Sequence, residues 1–196
     1  MKRKLVILGI SFGLLSGCAF TVHDVQVDYT YQNDVNVDLS KISPSPLEVG
    51  VIEDGRNVKN PRMIMNMKNM NGATTSGGWQ AEKPIADIIQ DALSQGLGKA
   101  NAPLTDSAGK LILTGELLDF EYKVIMGVWE ATIKSSLSVK LQVRDVNTER
   151  IIWKDTYISS ASVKGSEGAE GALRAALDDL VTDLLSDEYF IQQLRG

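Results

Sequence analysis

The sequence predicts an α+β fold, an antiparallel sheet built as a meander with two amphipathic helices packed on one face. Three patterns carry that reading. From Ala131 to Val143 apolar residues alternate with Thr132, Lys134, Ser138, Lys140 and Gln142, the period-two signature of a strand with one dry and one wet face. Ile85, Ile88, Ile89, Ala92, Leu93 and Leu97 recur at helical spacing, and so do Leu173, Ala176, Leu177, Leu180, Val181, Leu184 and Leu185. Each stripe must be buried against something, and a helix pair laid on one sheet face buries all three patterns together.

In chain order, Val25, Val27, Tyr29 and Tyr31 alternate with polar residues, as do Val35, Val37 and Leu39, before Ser43-Pro44-Ser45-Pro46 breaks regular structure. Leu47 to Ile52 reads as a strand ending at the turn signal Asp54-Gly55. Arg62 to Met67 can pair as a strand, and Asn71 to Gly78 has the composition of a flexible loop. Pro84 suits the first turn of the first helix, while Gly96 and Gly98 are stop signals ahead of Pro103. Leu111–Tyr122, the alternating segment and Arg150–Val163 form the meander, with a turn at Asp145–Glu149. The second helix runs from about Glu167 to Ser186, with Ser166 placed to cap it. Asp187 to Leu194 can add a short terminal helix.

The N-terminus is an export signal. Met1-Lys2-Arg3-Lys4 is positive, Leu5 to Leu15 is apolar, and Ser16-Gly17 is small, the order of a secretory signal. The apolar run is about half the ~20 residues that span a bilayer as a helix. Leu15-Ser16-Gly17-Cys18 resembles the lipobox of bacterial lipoproteins. That resemblance implies cleavage before Cys18, a diacylglyceryl group on its thiol and an acyl chain on its amine. Two or three chains anchor stably where one binds marginally. Ala19, in the position where Asp would retain an enterobacterial lipoprotein in the inner membrane, implies the outer membrane, with the domain in the periplasm. The expected organisation is a removed signal at 1–17, a lipidated tether at 18–46 that can contribute edge strands, and one α/β domain at 47–196.

Removing the first 17 of 196 residues leaves 179 and takes the net charge from −5 to −8. An acidic chain without a basic cluster is a poor nucleic-acid binder and a poor electrostatic partner for anionic lipid. Cys18 is the only cysteine, so no intramolecular disulfide is expected.

Three segments carry a further likeness: Glu82-Lys83-Pro84-Ile85-Ala86-Asp87-Ile88-Ile89, the alternating strand at Ser135 to Val143, and Leu180-Val181-Thr182-Asp183-Leu184-Leu185-Ser186-Asp187 followed by Phe190-Ile191. With the lipobox, they resemble the YajG-like family of small bacterial outer-membrane lipoproteins. The layout is also similar to auxiliary lipoproteins of ABC-type lipid transport systems. Either resemblance implies a periplasmic binding or assembly module rather than an enzyme, and neither supplies catalytic residues or a cofactor beyond the lipid on Cys18.

The residues themselves offer little chemistry. His23, the single histidine, stands five residues from the anchor, a poor place for a rigid catalytic device. Met63, Met65, Met67 and Met70 lie within eight residues and have three readings: core filler along one strand face, an adaptable contact surface for a partner, or soft ligands for Cu(I). Gly165, Gly168 and Gly171 lack phosphate-loop spacing, and Glu167 and Glu170 would repel an anion. Among the tryptophans Trp79, Trp129 and Trp153, Trp79 follows two glycines and is the candidate exposed contact. An envelope protein partner is expected, and an edge strand could pair with a second copy.

Overall fold

The computed structural model describes residues 21–68, 71 and 73–196; Cys18 and Met70 lie outside the described residues. The elements are β1 (Val22–Val25), β2 (Leu47–Asp54), β3 (Met63–Lys68), β4 (Thr74–Ala81), α1 (Ile85–Lys99), β5 (Leu104–Thr105), β6 (Leu111–Met126), β7 (Ala131–Asp145), β8 (Ile151–Lys164), α2 (Gly168–Ser186) and α3 (Glu188–Arg195). The fold is α+β, as expected.

The meander is present, with β6–β7 and β7–β8 antiparallel. The sheet is larger than the meander. Its order is β5-β2-β6-β7-β8, and β2 runs parallel to both β5 and β6. Parallel pairing needs a crossover, and α1 supplies it between β2 and β6. A second sheet of order β1-β4-β3 contains a strand where a loop was expected at Asn71–Gly78. Gly78 explains why it pairs there: a Cβ on it would lie 2.0 Å from the Met65 carbonyl oxygen, so only glycine lets β4 approach β3 this closely.

Both helical stripes are buried on one face of the five-stranded sheet. Ile85, Ile88, Ile89, Leu93 and Leu97 of α1 and Leu173, Leu177, Leu180, Val181 and Leu184 of α2 face Leu113, Leu137, Val139, Leu141 and Val143. The opposite sheet face is mostly polar, with Lys140 and Glu116 3.9 Å apart and Val51 and Ile158 exposed among the polar residues. Gly96 and Gly98 do not stop α1, which continues to Lys99. Gly96 is instead a contact point: a Cβ there would lie 2.2 Å from Val181 Cγ1. Ser166 does not cap α2. A 3-10 turn at Gly165–Glu167 precedes that helix, and the Glu167 carboxylate accepts from Lys164 N at 3.0 Å.

The segment assigned in sequence to the tether belongs largely to the fold. Val22–Val25 pairs parallel with β4, and Val27, Tyr31, Leu39 and Ile42 are buried. Beyond β1 this strap crosses the outer side of α1 and α2 in extended form without joining a sheet. Side chains of the helices, and Glu82 just ahead of α1, take its backbone groups instead. Gln95 accepts from Tyr31 N at 3.0 Å and donates to Tyr29 O at 3.1 Å. Glu82 accepts from Val27 N, Arg174 donates to Val27 O and Gln26 O, and Lys99 donates to Gln32 O and Asn33 O. The alternation seen in sequence therefore has one face on the helices.

Two tyrosines fasten the outer layer. Tyr29 Oη donates to Asp178 at 2.9 Å, and Tyr157 Oη donates to Asp187 at 2.6 Å. The same Asp187 caps α3 by accepting from Phe190 N. Phe190 packs edge-on against Trp153, with ring centroids 4.8 Å apart.

Two predictions follow from this packing. Gly96→Ala should destabilise by about 1–3 kcal/mol through overpacking, despite the better helix propensity of alanine. Val181→Ala in the same chain should recover part of that loss, because neighbouring substitutions couple. Urea midpoints of the two single variants and the double variant measure this. The second prediction concerns pH. Burial first, then the Asp178 carboxylate, pushes Tyr29 far above its ordinary range, and burial with Asp187 does the same to Tyr157. A phenol whose pKa is raised by folding leaves stability intact below the unfolded value of about 10 and removes it as pH rises further. The urea midpoint should fall above that pH, less steeply in Tyr29→Phe and Tyr157→Phe.

Candidate functional site

The small sheet and the outer half of the β6–β7 hairpin meet at a cleft of about 490 Å³. Met65, Met67, Trp79, Tyr122 and Val124 form its apolar lining, with Asn66 and Lys123 at its polar margin. The local sequence builds this junction in three steps. β3 and β4 pair with Met65 opposite Trp79 and Asn66 opposite Gly78. Gly78 permits the close approach described above. Tyr122 then bridges the two sheets by donating its hydroxyl to Asn66 O. Burial holds the Tyr122 phenol above its ordinary pKa, so it stays neutral and remains a donor.

An ionic clasp holds β1 to this sheet. Asp24 accepts from Arg62 at 2.5 Å and from Gln80 at 2.8 Å, while Arg62 Nε donates to Ala81 O at 2.7 Å. The hydrogen bond from Gln80, helped by Arg62, lowers the pKa of Asp24. His23 lies over Trp79, ring centroids 6.1 Å apart.

The sequence candidates separate here. Met65 and Met67 join Trp79 at the cleft, whereas Met63 is half-buried and does not line it. The one-face reading of Met63, Met65 and Met67 fails because the β3–β4 register shifts between Met63 and Met65. An extra residue in one strand re-aims side chains, and Ile64 and Met65 are both buried. Trp79 is half-buried and packs against the core. The exposed tryptophan is Trp129, at 98% of its full exposure, in the turn between β6 and β7. Trp153 is buried. The turn after Met126 marks where a tryptophan finds no packing, and that signal was present in the short Gly127–Glu130 interval between two strong strand patterns.

Among the described residues no group of three or more His, Cys, Asp or Glu side chains is placed to hold a metal. Among the same residues no helix is long and apolar enough to cross a membrane.

No family model matches the chain, and no curated protein matches it. Its fold is similar to that of protein XCC0632 from Xanthomonas campestris, of the family DUF330. The two share 14% identity with a TM-score of 0.60, over 88% of this chain and 97% of that one. Looser likenesses are to the PelC dodecamer subunit of Paraburkholderia phytofirmans (12% identity, TM-score 0.42, 78% of this chain and 92% of that one) and to lipoprotein GNA1162 of Neisseria meningitidis (10% identity, TM-score 0.39, 72% of this chain and 98% of that one). At these identities the likeness to XCC0632 concerns the fold alone.

The cleft separates structural from contact roles among the methionines. Met65→Ala should cost about 2–5 kcal/mol, as expected for a buried methionine. Met67→Ala, at the half-buried lip, should cost less than about 1 kcal/mol. Chemical denaturation of the two variants measures the difference.

Proposed function

We propose that this chain is an outer-membrane lipoprotein, anchored through lipid on Cys18, that works as a non-enzymatic binding or assembly module of the cell envelope. The observation that carries the reading is the position of the cleft. Its small sheet includes β1, which begins four residues after Cys18. An apolar recess lined by adaptable methionines and by aromatic rings with polar tips suits a protein segment or an apolar envelope component. It sits on the part of the domain bound most directly to the proposed anchor. β1 is paired in the small sheet from Val22, so the lipid would hold the cleft within a few residues' reach of the bilayer.

A photoreactive side chain at position 67, with one at Asn147 as the distant control, tests this in intact cells. The expected result is one discrete envelope adduct from position 67, absent from position 147 and lost in Cys18→Ala. Turnover of an envelope substrate by pure protein would contradict the reading.

The apolar lining of the cleft also favours the alternative of an auxiliary subunit in ABC-type lipid transport. Lipid co-purifying with wild type and lost in Trp79→Ala, as read by mass analysis, would favour it. Cu(I) binding by Met63, Met65, Met67 and Met70 is the third reading. It is disfavoured by the burial of Met65, and an affinity unchanged after Met63, Met65 and Met67 are replaced would remove it. β8 stands at the end of its sheet; Asp179 accepts from Ser160 N there, and the rest of that edge is the candidate for self-association.

A further inference from the structure

The longest hairpin among the described residues ends in an apolar tip that no part of the described fold covers. β6 and β7 pair continuously from Asp119–Ser138 out to Met126–Ala131, and Gly127 N closes the turn on Glu130 O at 3.0 Å. Met126 is 80% exposed, Val128 91% and Trp129 98%, with Val124 and Ile125 also exposed behind them. Five large apolar side chains within six residues at a strand turn are costly in water, because each leaves its apolar area hydrated. The rigid two-stranded stem gives them no path back to the core.

The entry point of the chain indicates what covers them. Thr21 O accepts from Gly78 N at 3.0 Å, and β1 then runs parallel to β4 towards α1. The preceding chain therefore leaves from the side of the β3–β4 connection. The stem of the hairpin meets the same row of residues, since Asn66 lies opposite Gly78 and its carbonyl accepts from Tyr122 Oη. Three residues connect Thr21 to Cys18, a reach of about 10 Å. Met126 is four residues beyond Tyr122, about 13 Å along the strand. With both reaches on the order of 10 Å, a surface that holds a lipid on Cys18 lies within range of a tip that extends to that side.

We propose that the β6–β7 tip, Met126 to Trp129 with Val124 and Ile125 behind it, inserts into the lipid leaflet that carries the Cys18 anchor and so fixes the orientation of the domain on the membrane. The occupant is a lipid surface. Tryptophan at the end of an aliphatic tip suits the headgroup boundary, where its ring is buried and its N–H stays wet. Lys123 and Lys134, paired across the stem, stand where headgroup phosphates would lie. The proposal rests on the anchored reading above and adds a second contact to it.

The test uses the full lipidated chain in phosphatidylethanolamine–phosphatidylglycerol vesicles. Val128→Cys adds one free thiol when Cys18 carries lipid, and an environment-sensitive dye is attached there. Asn147→Cys, at the opposite end of β7, is the control. Insertion predicts blue-shifted dye emission at 128, and loss of more than half of that emission when the acyl chains are brominated, with neither effect at 147. Unlabelled protein gives an independent readout: brominated lipid should quench the emission that wild type has and Trp129→Phe lacks. Aqueous emission at 128 with a lipidated intact mass would overturn the insertion and leave the anchor standing. A shielded dye that brominated lipid does not quench would also overturn it, because protein, a second copy included, would then cover the tip. An unmodified Cys18 by mass would overturn the anchor and the insertion that rests on it.

Discussion

The approach of α1 to α2 at Gly96 is the constraint on which the rest of the structure depends. Two helices of 15 and 19 residues must cover one face of a five-stranded sheet without leaving voids, and they do so by touching where α1 has no side chain and α2 presents Val181. That contact sets the groove on the outer side of the pair, and the strap at residues 26–42 lies there. Gln95, one residue from Gly96, holds Tyr29 and Tyr31 by their backbone groups. Tyr29 and Tyr31 in turn reach Asp178 and Thr182 on α2. Helix spacing, strap path and the position of β1 are thus coupled through a few adjacent residues.

The strap also links the fold to the proposed site. Val27 N is held by Glu82, just after β4, and Asp24 is clasped by Arg62 and Gln80. Together they keep β1 in the small sheet and the small sheet against β6. The cleft forms where two separately stabilised sheets are bridged by the Tyr122 hydroxyl. An apolar recess at such a junction can adapt, because its walls belong to elements that share few other contacts. The methionines at its lip suit that role.

The helical stripes and the meander were legible because their periods, 3.6 and 2, each require a buried face, and every stripe residue named from the sequence is buried. The parallel addition of β2 and β5 was not legible, since pairing direction depends on where a crossover helix returns the chain. The strap shows alternation just as a strand does, and sequence cannot tell whether its hydrogen bonds go to a neighbouring strand or to Gln95, Arg174 and Lys99. Gly96 reads as a stop when helix propensity is considered alone, yet it serves helix–helix contact. Met63, Met65 and Met67 read as one face until the β3–β4 irregularity separates them, so the cleft at Met65, Met67 and Trp79 was only partly visible. Trp129 reads as packed in sequence because strand patterns flank it on both sides.

Under the proposed anchoring, these features hold the domain close to the lipid on Cys18, so that it would stand on the membrane rather than swing from it. Residues 18–46 as a free tether could extend to about 90 Å, whereas the packed strap leaves only the few residues before β1. Neutron reflectometry of the full lipidated chain on a supported bilayer measures the difference directly. The expected profile has protein density beginning at the headgroups and extending about the ~50 Å length of β7, from 15 residues at ~3.3 Å each, without an intervening water layer. A solvent-filled gap of tens of ångströms between bilayer and protein would contradict it.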